Sequence, residues 1–140
     1  MPSTVKTEVL YQTANDARHP ATNMIDGDEK TFWITTGMYP HEVLLGFKGA
    51  TATVTKIRTW SYHIKKLTVE KCTEAQPTKF EKIVETELSD KAGAMQIESF
   101  TINSTMGPDV KYLKIHVASG WEDFSSIHSI IVEGDTVEAS

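Results

Sequence analysis

Apolar and polar positions alternate along much of this chain. Val43, Leu45 and Phe47 are separated by Leu44 and Gly46, and Glu42 precedes them. Leu67 and Val69 alternate with Thr68 and Glu70, and Leu113, Ile115 and Val117 with Tyr112, Lys114 and His116. A period of two marks a strand with one buried face, because successive side chains leave opposite sides of an extended backbone. Val5, Thr7, Val9 and Tyr11 set against Lys6, Glu8, Leu10 and Gln12 predict one more half-buried strand. Further strands are predicted over 53–62, 79–88, 95–102 and 127–133. Phe80, Val84 and Leu88 fit one face of a helix or of a strand, and the neighbouring pattern decides for strand. In 95–102 the apolar parity changes from Met95 and Ile97 to Phe100 and Ile102, which predicts a β-bulge.

Turn residues punctuate these runs: Asp26-Gly27, Gly37, Pro40, Lys48-Gly49, Gln76-Pro77, Lys91-Ala92-Gly93, Met106-Gly107-Pro108 and Ser119-Gly120. Many short strands at such spacing imply an all-β sandwich or barrel. Composition supports this. Val, Ile and Thr number 10, 11 and 18 of 140 residues, and β-branched side chains suit a pleated surface. The length fits one domain, read as 1–134, with 135–140 as a tail. A chain of this size buries enough surface to fold without a disulfide or a metal.

Charge and chemistry then narrow the function. The net charge is −5, with no basic run, a poor match to nucleic acid or anionic membranes. Apolar runs are too short to span a bilayer. Cys72 is the single cysteine and has no partner for an internal disulfide, which favours a reducing compartment. Met1-Pro2-Ser3-Thr4-Val5-Lys6 carries no secretory pattern, so the Asn103-Ser104-Thr105 sequon is expected to stay unused. His41-Glu42 opens a zinc-protease pattern, but Leu45 stands where the second histidine belongs. No nucleophile elbow, phosphate loop or dinucleotide fingerprint is present. A binding or scaffold role is expected, without catalysis.

The densest polar segment is Asn23-Met24-Ile25-Asp26-Gly27-Asp28-Glu29-Lys30-Thr31. Calcium takes six to eight oxygens, from carboxylates and from backbone carbonyls. Asp26 and Thr31 offer side-chain oxygens, and the tight Asp-Gly turn offers carbonyls. An EF-hand does not fit, since Gly37 occupies its twelfth position. A solvated turn between two strands fits the same residues. Spacing alone leaves both readings open.

The run His19-Pro20-Ala21-Thr22-Asn23-Met24-Ile25-Asp26-Gly27-Asp28, followed by Thr31-Phe32-Trp33, resembles the opening of discoidin domains. These belong to the galactose-binding-like jelly rolls. Ile127-His128-Ser129-Ile130-Ile131-Val132-Glu133-Gly134 is similar to their last strand. Thr31-Phe32-Trp33-Ile34-Thr35-Thr36-Gly37-Met38-Tyr39-Pro40 and Ser125-Ser126-Ile127-His128-Ser129 more narrowly resemble the family of small β-sandwich subunits of intraflagellar transport complex B. That family is also filed with the heat-shock proteins, although no α-crystallin pattern is present.

The resemblance implies a jelly-roll β-sandwich of eight or nine strands. It implies a structural Ca2+ held by the carbonyls of Asn23, Asp28 and Val132, the carboxylates of Asp26 and Glu133, and Thr31. It further implies a Rab-like small GTPase partner, other complex B subunits, and residence in the cytoplasm, the cilium or flagellum and the basal body. Extracellular discoidin domains clamp their termini with a disulfide and bind ligands through an arginine pair or aromatic spikes. The single cysteine and the separation of Arg18 from Arg58 count against sugar binding. The superfamily resemblance keeps a calcium-dependent carbohydrate-binding module as the alternative expectation. An interface needs aromatic or Met anchors, and the turn residues Met38, Tyr39, Trp121 and Phe124 are its candidates.

Overall fold

The alternating stretches form strands. A computed structural model describes residues 3–5, 7–12, 33–35, 40–47, 50–89, 94–121 and 125–138. The strands are β1 (Ser3–Val5), β2 (Glu8–Gln12), β3 (Trp33–Thr35), β4 (His41–Gly46) and β5 (Ala50–Tyr62). They continue as β6 (Ile64–Cys72), β7 (Glu81–Glu87), β8 (Gln96–Thr101), β9 (Tyr112–Gly120) and β10 (Ser125–Glu138). No helix occurs among the described residues. The first sheet has the order β1-β10-β5-β8, with β3 also paired to β10. The second has the order β2-β4-β9-β6-β7, and every pairing is antiparallel. This is the expected jelly-roll sandwich. Eight strands have five residues or more, and β1 and β3 are three-residue pieces on β10.

The core lies between the sheets. Val43, Leu45, Leu67, Val69, Leu113, Ile115 and Val117 enter from the second sheet. Val54, Ile57, Ile127, Ile130 and Val132 enter from the first. Two bulges set the inward parity where β5 meets β10. His128 is skipped between Ile127 and Ser129, so Ile127, Ile130 and Val132 all point inward despite mixed parity. Thr55 is skipped opposite Glu133/Gly134, which brings Val54 and Ile57 to the same face. Its hydroxyl donates to the Glu133 carbonyl at 3.1 Å.

Several expectations are corrected. The stretch 5–12 is two strands: β1 pairs β10 in the first sheet, and β2 pairs β4 in the second. A register shift at Leu10 turns Tyr11 outward, and Leu10 and Tyr11 are both exposed. Strand β8 has no bulge. It pairs β5 without interruption, with Gln96 facing inward and Ile97 outward. The tail expected from Asp135 begins later, because β5 extends back to Ala50 and pairs Asp135–Glu138 with 50–53.

Candidate functional site

The predicted site residues fall in three places. Asn23, Asp26, Asp28, Thr31, Met38, Tyr39 and Phe124 lie outside the described residues. Val132 and Glu133 sit in β10, between β1 and β5. Val132 is buried in the core, while Glu133 is half-buried on the opposite face with Lys56 as its cross-strand partner. Trp121 follows β9. Ser125, four residues beyond it, opens β10 at the same end, and Glu133 lies roughly 26 Å further along that strand. Trp121 and the pair Val132 and Glu133 therefore belong to different parts of the molecule.

Trp121 is anchored rather than free-standing. Its backbone N–H donates to the His63 carbonyl at 2.8 Å, and its indole Nε1–H donates to the Leu88 carbonyl at 2.9 Å. His63 occupies the β5–β6 turn with φ 63°, a left-handed conformation that reverses the chain in one residue. Its carbonyl also accepts the Ser125 hydroxyl at 3.0 Å. One His63 carbonyl thus holds both sides of the loop between β9 and β10. Lys65 Nζ lies 4.9 Å from the Trp121 ring centroid, and the ring remains 38% exposed. An open hollow of about 400 Å³ adjoins it, lined by Glu87, Leu88 and Ser89. Much of this tryptophan closes the end of the sandwich, and one part of it faces outward.

The outer face of the second sheet carries a groove of about 480 Å³ floored by Thr68, His116 and Ala118. Two pairs of polar side chains meet there. Lys82 Nζ lies 2.7 Å from Glu85, and His116 Nδ1 lies 3.2 Å from Glu42. Glu85 holds the Lys82 ammonium above the ordinary lysine value, and Lys82 holds the Glu85 carboxyl below the ordinary carboxylate value. In each case the side-chain hydrogen bond is the larger cause and the Coulombic attraction the next. Among the described residues no three His, Cys, Asp or Glu side chains gather where they would hold a metal ion.

Two features of the site region were missed from sequence. On the outer face of the first sheet, Arg58 lies over the Trp60 ring, 5.0 Å from its centroid. The alternation of Lys56, Arg58, Trp60 and Tyr62 with Ile57, Thr59 and Ser61 carried that signal. The second is Gln96, whose buried amide joins the two sheets. No local pattern marks it.

Relatives show where this architecture belongs. No protein-family model matches the chain. A mouse protein named intraflagellar transport protein 25 homolog is 36% identical over 133 residues, 95% of this chain and 90% of that one. This chain belongs to the intraflagellar transport protein 25 family. The Chlamydomonas reinhardtii intraflagellar transport protein 25 is 37% identical over 126 residues, 90% of this chain, which spans 64% of that protein's length. The human homolog is 34% identical over 93% of this chain and 88% of its own. Among solved structures, a Clostridium perfringens family 32 carbohydrate-binding module in complex with galactose superposes with a TM-score of 0.77. It covers 95% of this chain and 99% of its own, at 18% identity. A chitosan-binding module from Paenibacillus superposes equally well, at 0.77 and 17% identity. These likenesses establish that the intraflagellar transport protein 25 family member shares the galactose-binding-like fold.

Proposed function

We propose that the chain is a non-catalytic structural subunit of intraflagellar transport complex B, paired with a Rab-like small GTPase subunit. In this reading it works in the cytoplasm, at the basal body and in the cilium or flagellum, where it supports cargo transport. The observation that carries the reading is the alignment to the mouse homolog, which covers 95% of this chain and hence both sheets and their connections. A long-strand sandwich also suits a scaffold, since it holds surface side chains on a rigid frame. Sugar binding is not carried over from the carbohydrate-binding modules, because likeness at 18% identity is one of fold.

The reading includes a structural calcium ion. The carbonyls of Asn23, Asp28 and Val132, the carboxylates of Asp26 and Glu133, and Thr31 would hold it. The donor chemistry supports this: all the ligands are oxygens and two are carboxylates, as calcium prefers. The half-buried position of Glu133 supports it too. The Glu133 carbonyl accepts the Thr55 hydroxyl at 3.1 Å, and the carboxylate is the group offered to the ion. The ion would tie the first loop to the last strand and offset the repulsion between Asp26 and Glu133.

Affinity purification of the tagged chain from ciliated cells, with mass spectrometry of the eluate, tests the proposal. A near-stoichiometric Rab-like GTPase accompanied by complex B subunits is expected. Retention on a glycan array with no such protein in the eluate would overturn it.

A further inference from the structure

On the outer face of the second sheet, Lys82 pairs with Glu85, Lys66 stands across from Glu87, His116 Nδ1 lies against Glu42, and Lys114 Nζ lies over the Phe80 ring, 3.9 Å from its centroid. On the first sheet, the register lays out three rows. These are Ile97–Trp60–Ser129, Ser99–Arg58–Ile131 and Thr101–Lys56–Glu133. In the last row Lys56 has Glu133 across from it. In the middle row the residues across from Arg58 are a serine and an isoleucine. The Arg58 guanidinium rests on the Trp60 ring.

Trp60 is 8% exposed, yet it stands outside the core between the sheets. The inward positions of β5 at this level are Ile57, Thr59 and Ser61. Ile97 beside it is 58% exposed, and Tyr62, two residues further along β5, stands edge-on to His128 at 5.1 Å. An exposed isoleucine, a stacked Arg–Trp pair and a tyrosine on one rigid face match the composition of interface hot spots.

We propose that this outer face is a protein-docking surface for a partner that presents a carboxylate to Arg58 and aliphatic side chains to Ile97 and Ile131. The inference rests on the partner reading above and names the face by which the GTPase subunit is held. Charge complementarity selects the occupant. The Trp60 ring removes water from one side of the Arg58 guanidinium, and a carboxylate completes its hydrogen bonds in the planar, two-pronged manner arginine favours. Nucleic acid or an anionic membrane would need a run of cations, and this chain carries −5 overall. A second copy would bring another Arg58 and another −5.

Calorimetric titration of the purified GTPase subunit into the full chain tests the face, using wild type, Arg58→Glu, Ile97→Asp and, on the other outer face, Glu85→Lys. Melting curves report whether each variant folds, and Ile97→Asp carries the test if Arg58→Glu does not. The proposal expects Arg58→Glu and Ile97→Asp each to raise Kd about tenfold or more, a loss typical of an anchor residue. Glu85→Lys is expected to stay within about twofold of wild type. Folded Arg58→Glu and Ile97→Asp variants that bind like wild type would overturn the docking face while leaving the partner reading intact. Absence of wild-type binding would overturn the partner reading, and this inference with it. A wild-type dimer in sedimentation that Ile97→Asp dissolves would replace the committed occupant with a second copy.

Discussion

Replacing Gln96 should cost this fold more than any surface change, although the residue lies on a strand at the edge of its sheet. Its amide is 1% exposed and fully used. Oε1 accepts from the Ser61 hydroxyl at 3.1 Å and from the Ile64 N–H at 3.0 Å. Nε2 donates to the Ile64 carbonyl at 2.8 Å and to the Ser89 carbonyl at 3.0 Å. The side chain thus acts as a peptide unit. It pairs both backbone groups of Ile64 at the point where β7 no longer runs beside β6. Gln96→Leu keeps the bulk and removes all four bonds. Ser89 is exposed and turns to water, whereas Ser61 and Ile64 are 0% exposed. Each buried polar group left unpaired costs ~1–3 kcal/mol, and removal of the glutamine amide's own desolvation returns part of that. The expected loss is about 3–5 kcal/mol, a large share of the ~5–15 kcal/mol typical of a domain. Urea unfolding followed by tryptophan fluorescence should show a lower midpoint at unchanged slope.

Gln96→Glu gives the sharper test, because it preserves shape. A carboxylate there faces the Ile64 and Ser89 carbonyls, so burial and repulsion push its pKa up. A raised folded-state pKa contributes stability below the unfolded value and loses it as pH rises through the folded one. The deficit against wild type should therefore widen from acid to neutral pH. Loss of less than about 1 kcal/mol in both variants at pH 7 would refute the reasoning.

Three further outcomes are expected. Gly134 has φ +157°, and a Cβ there would collide with the Thr53 carbonyl oxygen, so Gly134→Ala should open the β5–β10 bulge and cost about 2–4 kcal/mol by thermal melt. If the loop and β10 share a structural calcium ion, Asp26→Ala should lower Tm in calcium and leave it unchanged in chelator; equal shifts in both would remove the ion from the account. In an NMR titration, Glu85 should titrate below the ordinary carboxylate range because of its hydrogen bond with Lys82. That depressed value places its stabilising contribution above the unfolded pKa and loses it as pH falls through the folded one. The raised Lys82 value loses its share as pH climbs through the alkaline range. Both groups are fully exposed, so added salt should diminish the shifts.

The centre of the second sheet was legible along the chain. In β4, β6 and β9 every residue marked by period two is buried, because alternation between faces is a local property of extended backbone. The family could be read as well, since Asp26-Gly27 with Thr31-Phe32-Trp33 and Ile127-His128-Ser129 are short local strings. Partner assignment was not local. Residues 5–12 read as one continuous pattern, yet Val5 is claimed by Val132 and Val9 by Leu45, in different sheets. Tyr11 matched an inward position until the bulge at Leu10 turned it out.

The sites divide along the same line. The oxygen-rich segment 23–31 stands out along the chain as nine consecutive residues, and its spacing fits both a calcium loop and a solvated turn. The Arg58–Trp60 stack and its outward face became visible only when β8 and β10 flanked β5 with Ile97, Ser99 and Ile131. Gln96 stands between the apolar Met95 and Ile97, with no local pattern to mark it. Its inward orientation is fixed by backbone groups 32 residues away, at Ile64, and 7 away, at Ser89. Side-chain periodicity is dictated by sterics between neighbours in sequence. Which face is covered, and which buried polar atom finds a partner, depends on strands that only the folded chain brings together.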